Sequence, residues 1–199
     1  MSQQEGREEA VRKAISRLSG VALENRLQAL GLPSSVNGTL SIRAFGQDFE
    51  IDLEDWSVVL PKAGKPASLS DRILILHYLC CEGPISLSTK LISFRSFTGG
   101  QFYLQPFHSR TAKPLIAKIE NNLDLLKKNL DRFDWKPASY GDFSAKIHAI
   151  GNLFITLVYS IGDDEFPPSC EVLFDESTGR AYEAEDAAAL ASRICLGLL

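Results

Sequence analysis

The residues best able to do chemistry fall into three clusters. Arg95, Tyr103, His108, Arg110, Thr111 and Lys113 crowd into one segment that also carries Gly99-Gly100 and four phenylalanines. Guanidinium and ammonium groups gathered near a double glycine and the start of a helix are suited to holding an anion, because exposed backbone N–H groups and the helix dipole add to the side-chain charge. Asp163, Asp164 and Glu165 form the second cluster, in the loop Gly162–Pro168. Adjacent carboxylates can bind a hard cation or work as acid and base, although a calcium loop would place oxygens at alternate positions with a Glu well downstream. His77, Cys80 and Cys81 form the third. On a helix they share one face, but structural zinc sites draw paired spacings from two places in the chain, so these read as buried thiols beside a histidine and no metal is expected.

Several chemistries have no support. Neither G-x-G-x-x-G nor a phosphate loop ending GK[ST] occurs, and no Ser or Cys sits in a nucleophile motif. His108 and His148 have the right chemistry for acid or base, yet a lone His carries little specificity. No motif here identifies a cofactor. The formal charge of −4 speaks against a protein built to hold a nucleic-acid backbone. Charge is unevenly placed: Phe94–Lys136 holds eight Lys/Arg against four Asp/Glu, and Asp163–Asp186 nine Asp/Glu against one Arg. One segment suits anions, the other cations. No apolar run is long enough to span a bilayer. The N-terminus lacks the layout of an export signal, so the expected setting is cytoplasmic, with the four cysteines as thiols.

The elements that must position these groups follow from periodicity. With 199 residues, residues 1–199 are expected to form a single domain burying roughly 70% of its unfolded surface. Val11, Ala14, Ile15 and Leu18, then Leu23, Leu27 and Leu30, mark N-terminal helices. Leu40, Ile42 and Ala44 alternate against Phe49, Ile51 and Leu53 around Gly46, the pattern of a hairpin. Asp55–Ala67 reads as a loop, and Ser68–Cys81 as a buried helix capped by Ser68 or Ser70. Leu91–Phe97 and Gln101–Leu104 read as strands flanking Gly99-Gly100. The stripe Leu115, Ile119, Leu123, Leu126 and Leu130 predicts one long central helix from Thr111, its N-cap, to about Phe133. Phe143–Ala149 and Leu153–Tyr159 form a second hairpin around Gly151-Asn152, Glu171–Phe174 a further strand, and Ala187–Leu198 a closing helix with acids at its start. Hairpins without βαβ alternation give α+β: a mostly antiparallel sheet with N-terminal, central and C-terminal helices packed on it.

The order Gly162-Asp163-Asp164-Glu165-Phe166-Pro167, then Val172-Leu173-Phe174-Asp175, then Tyr182 with Glu185-Asp186, resembles a bacterial and archaeal domain-of-unknown-function family, DUF3786. Phe102–Lys113 and Phe133-Asp134-Trp135 belong to the same pattern, and the resemblance covers nearly the whole chain. It implies occurrence largely in anaerobes, with some relatives joined to an iron–sulfur module of the kind seen in corrinoid proteins. This chain departs from those in lacking a four-cysteine cluster. No activity or catalytic residue comes with the resemblance.

The expected function is therefore binding of a small anionic molecule or a partner protein near Arg95–Lys113, with Asp163–Glu165 at or near the same cleft. One alternative is an enzyme or accessory protein acting on a corrinoid- or one-carbon-related substrate. Another is a docking subunit without catalysis.

Overall fold

The computed structural model describes residues 3–199. The chain opens with α1 (Gln3–Leu18) and α2 (Leu23–Ala29), separated by a bend at Gly20. The apolar stripe of α1 buries Val11, Ala14 and Leu18. A hairpin follows, β1 (Thr39–Ala44) and β2 (Gln47–Asp52), turned by Phe45-Gly46 with both residues at positive φ. Its alternation puts Leu40, Ile42, Phe49 and Ile51 on the buried face. β3 (Val58–Leu60) and β4 (Lys65–Pro66) lie inside the stretch expected to be loop. Three residues or fewer leave too little alternation to read. Then comes α3 (Leu69–Leu79), where the Ser68 hydroxyl accepts from the Asp71 N–H at 3.0 Å and so satisfies one orphan donor of the first turn.

After the short β5 (Leu91–Ser93), three helices run in succession: α4 (Leu104–Arg110), α5 (Ala112–Ile119) and α6 (Leu123–Leu130). β6 (Trp135–Pro137), β7 (Phe143–Ile150), β8 (Leu153–Ser160) and β9 (Ser169–Asp175) complete the strands, and α7 (Thr178–Ala181) leads into α8 (Ala184–Gly197). The nine strands form one sheet in the order β4-β3-β2-β1-β7-β8-β9-β5, with β6 also on β7, and every pair is antiparallel. The fold is α+β. Ala145, Ile147, Ile155, Leu157, Val172 and Phe174 make the buried centre of the sheet, with α5 and α8 among the helices of the core. No helix among the described residues is long and apolar enough to cross a membrane.

The β7–β8 turn and α3 are locked together by one tyrosine. Tyr78 Oη donates to Leu30 O at 2.7 Å and accepts from the Asn152 N–H at 3.2 Å. Gly151, at φ +53, sits so close that an added Cβ would lie 2.3 Å from that oxygen. Away from the core centre, Lys146 Nζ reaches the two carboxylate oxygens of Asp175 at 3.1 and 3.0 Å and lies 4.7 Å from the centre of the Phe154 ring. The Asp175 side chain is fully buried, and burial holds its carboxyl above the ordinary range although Lys146 pulls the other way.

Two local expectations are corrected. Leu91–Phe97 is extended only as far as Ser93; Phe94–Ser96 turns as a 3-10 helix, and Gly100–Tyr103 is a second such turn rather than a strand. Gly100 permits this, because a Cβ there would lie 2.2 Å from the Phe94 carbonyl oxygen. Arg95 is therefore on a turn. The long central helix is broken as well. Glu120, at φ +49, ends α5, and Asn122 starts α6 afresh by accepting from the Leu125 N–H at 2.9 Å. Thr111 does not cap α5: its hydroxyl donates back to Phe107 O at 2.7 Å and is buried in the α4–α5 joint.

Candidate functional site

A cleft of about 780 Å³, larger than the others described below, lies between α1, the end of α3 and the α7–α8 corner. The apolar sides of these helices place its polar rim. Val11, Ala14 and Leu18 seat α1 on α3, which leaves Lys13 and Arg17 at the edge of the contact. The second wall is tied to α3 by Tyr182 Oη, which donates to Leu74 O at 2.8 Å, and by Arg193 Nε, which donates to Asp71 Oδ1 at 2.7 Å. Cys80 is buried and donates weakly to Ala14 O at 3.5 Å; Cys81 is half-buried and lines the opening.

At the centre His77, on α3, meets Asp186, in the first turn of α8, with Nδ1 and Oδ2 2.8 Å apart. The two side chains are 28% and 19% exposed, enough to contact a ligand but too little for water to screen them fully. Hydrogen bonding to the Asp186 carboxylate raises the His77 pKa above its ordinary value; burial and the nearby Arg17 charge oppose this without cancelling it. Burial pushes the Cys80 thiol and the Tyr182 hydroxyl upward, so neither is a nucleophile at neutral pH. Glu9 is occupied by Arg12 at 2.7 Å and Lys13 at 3.9 Å. Arg17, Arg180, Glu82 and Glu183 also line the cleft, and none has a side-chain hydrogen bond or ion pair among the described residues. The cleft can therefore bind charge through guanidinium groups and exchange a proton through His77. No three His, Cys, Asp or Glu side chains among the described residues are grouped to hold a metal ion.

The predicted basic cluster is only partly assembled. Arg95 and His108 share a smaller cavity of about 350 Å³, with Glu171 on its wall and Phe94 and Phe107 stacked at 4.1 Å in its lining. Tyr103, Arg110, Thr111 and Lys113 are not among its lining residues. Arg110 Nε turns back to Pro106 O at 3.3 Å, Tyr103 and Lys113 stand in solvent, and Thr111 is buried. Asp163, Asp164 and Glu165 lie on the β8–β9 loop, which closes on itself. Asp163 Oδ1 accepts from the Glu165 and Phe166 N–H groups at 2.9 and 2.7 Å, which lowers the Asp163 pKa. The loop is fastened to the α5–α6 corner, where the Asn121 side chain pairs with Gly162 at 2.7 and 3.0 Å. His148 lies in a third hollow, of about 620 Å³, with Lys146, Phe154 and Trp135.

His77 and Cys81 carried a sequence signal as one helical face. Lys13, Arg17 and Arg180 carried none, and Asp186 appeared as an acid suited to a helix N-terminus and in the family pattern, with no link to His77. The pairing of His77 with Asp186 spans 109 residues and has no local signature. No curated protein and no solved structure matches the chain. A family model described as Domain of unknown function (DUF3786) matches residues 22–196, so the chain belongs to that family, with α1 preceding the matched residues.

Proposed function

We propose that residues 1–199 act as one domain that binds a small anionic molecule in the cleft between α1, α3 and α8. The observation that carries this reading is His77, biased toward its charged form by Asp186, in one cleft with the guanidinium groups of Arg17 and Arg180, which have no partner among the described residues. A concave site with convergent polar groups and a perturbed titratable residue is the default place to look for a ligand. The Arg17 and Arg180 guanidinium groups offer donors to an anionic group, and Glu82 and Glu183 in the same lining limit how much negative charge a ligand can carry. Native mass spectrometry of the purified protein tests the reading. The wild type is expected to carry a small-molecule adduct that Arg17→Ala/Arg180→Ala loses, and an adduct kept by that variant would remove it.

A second reading keeps the expected basic segment. Arg95 and His108 share a cavity whose lining includes the stacked Phe94 and Phe107 rings, an arrangement that suits an anion carrying a flat apolar group. The acidic loop Asp163–Glu165 has no part in it. Loss of the adduct on Arg95→Ala, with Arg17→Ala/Arg180→Ala unaffected, would transfer the proposal there.

A further inference from the structure

We infer that the ligand of the α1–α3–α8 cleft is a small zwitterion of the amino-acid type, bearing both a carboxylate and an ammonium group. This rests on the proposed binding function and specifies its substrate class. Charged groups that share the cleft with His77 come from every wall: Lys13, Arg17 and Glu9 from α1, Glu82 from just beyond α3, Arg180 from α7, and Glu183 and Asp186 from the start of α8. Two pairings are already made inside the protein, Glu9 with Arg12 and Lys13, and Asp186 with His77. Without a partner among the described residues, and so open to a ligand, are two guanidinium groups, Arg17 and Arg180, and two carboxylates, Glu82 and Glu183.

A dianion would satisfy the guanidinium groups and meet repulsion from the carboxylates. A zwitterion can place one charge against each set, so its two ends neutralise both. Specificity follows from the mismatch, because like charges brought together in a cleft are disfavoured. The Tyr182, Ala14 and Ala181 surfaces in the lining would cover an aliphatic spacer. The volume of about 780 Å³ falls in the range of small-molecule sites and leaves room for an amino acid or a short peptide.

Cys81 supplies a reporter at the opening that is independent of any activity. Its alkylation by iodoacetamide can be followed by tandem mass spectrometry, which separates it from the buried neighbour Cys80. The probes are ω-amino acids from glycine to 6-aminohexanoate, each matched with the dicarboxylate of the same length. At least one ω-amino acid is expected to slow Cys81 labelling several-fold, its matched dicarboxylate to do little, and Glu82→Gln/Glu183→Gln to abolish the difference. If dicarboxylates protect as well or better, and only Arg17→Ala/Arg180→Ala removes protection, the zwitterion inference fails and anion binding stands. If no probe of either series alters labelling, both fail.

Discussion

Replacing Asp186 with Asn keeps the shape of the side chain and removes the negative charge that faces His77. The contact is 2.8 Å long and both side chains are mostly buried, so a charge-assisted hydrogen bond of about 1.5–3 kcal/mol is the starting magnitude. Partial exposure reduces it, and about 1–2 kcal/mol is the expected pH-dependent contribution. The sign follows from linkage. His77 has a folded pKa above its unfolded value of about 6.5, so its contribution is fully present below that value and is lost as pH rises through the raised folded pKa. Asp186 also lies in the first turn of α8, where removing a negative charge costs about 0.3–1 kcal/mol at any pH in this range. Urea unfolding of the wild type and Asp186→Asn at pH 5.5 and pH 8.5 measures both parts. The destabilisation should be about 1–2 kcal/mol larger at pH 5.5 than at pH 8.5. Equal destabilisation at the two pH values would refute a charged His77–Asp186 pair, and with it the electrostatic basis of the cleft.

Four further substitutions have expected outcomes, read by urea unfolding except where hydrogen exchange is named. Lys146→Met strands the fully buried Asp175 carboxylate and should cost about 3–5 kcal/mol, with most of the loss recovered on lowering the pH far enough to protonate Asp175; a cost below about 1 kcal/mol would show that water reaches the pair. Tyr78→Phe leaves Leu30 O and the Asn152 N–H without their shared partner and should cost about 1–3 kcal/mol, and hydrogen exchange of the β7–β8 turn should accelerate if the tyrosine locks it. Asn122→Ala removes the cap of α6 and should cost about 1 kcal/mol, while Arg17→Ala, which removes no side-chain hydrogen bond or ion pair among the described residues, should change stability by less than about 0.5 kcal/mol.

Where side-chain alternation was long and turns were marked, the fold was readable. Leu40, Ile42 and Ala44 against Phe49 and Ile51 produced the β1–β2 hairpin, and Gly151-Asn152 the β7–β8 turn. The region from Phe94 to Leu130 misled for a definite reason. Ile119 and Leu126 are seven residues apart, the separation of two helical turns, so the buried stripe Leu115, Ile119, Leu126 and Leu130 stays in phase across the break at Glu120. Periodicity alone reads through such a break. Gly99-Gly100 resembled a hairpin turn, whereas Gly100 is needed for a backbone crossing against Phe94. The candidate site was less legible still. Its histidine was visible, but its partner lies 109 residues away and its guanidinium groups come from two other helices. Tertiary packing joins them, and a segment rich in Arg and aromatic residues drew attention toward Arg95 instead.

The chain has three histidines, and each lines a different hollow: His77 the α1–α3–α8 cleft, His108 the Arg95 cavity, and His148 the hollow beside Lys146. Titrating ligand-free protein with the ω-amino acids from glycine to 6-aminohexanoate while recording the histidine ring resonances by NMR therefore asks which hollow holds the ligand's carboxylate. The prediction is a saturable shift of the His77 resonances, with the other two nearly still, and its loss in Arg17→Ala/Arg180→Ala. Saturable movement of His108 or His148 with His77 unchanged would contradict the assignment of the α1–α3–α8 cleft as the anion site.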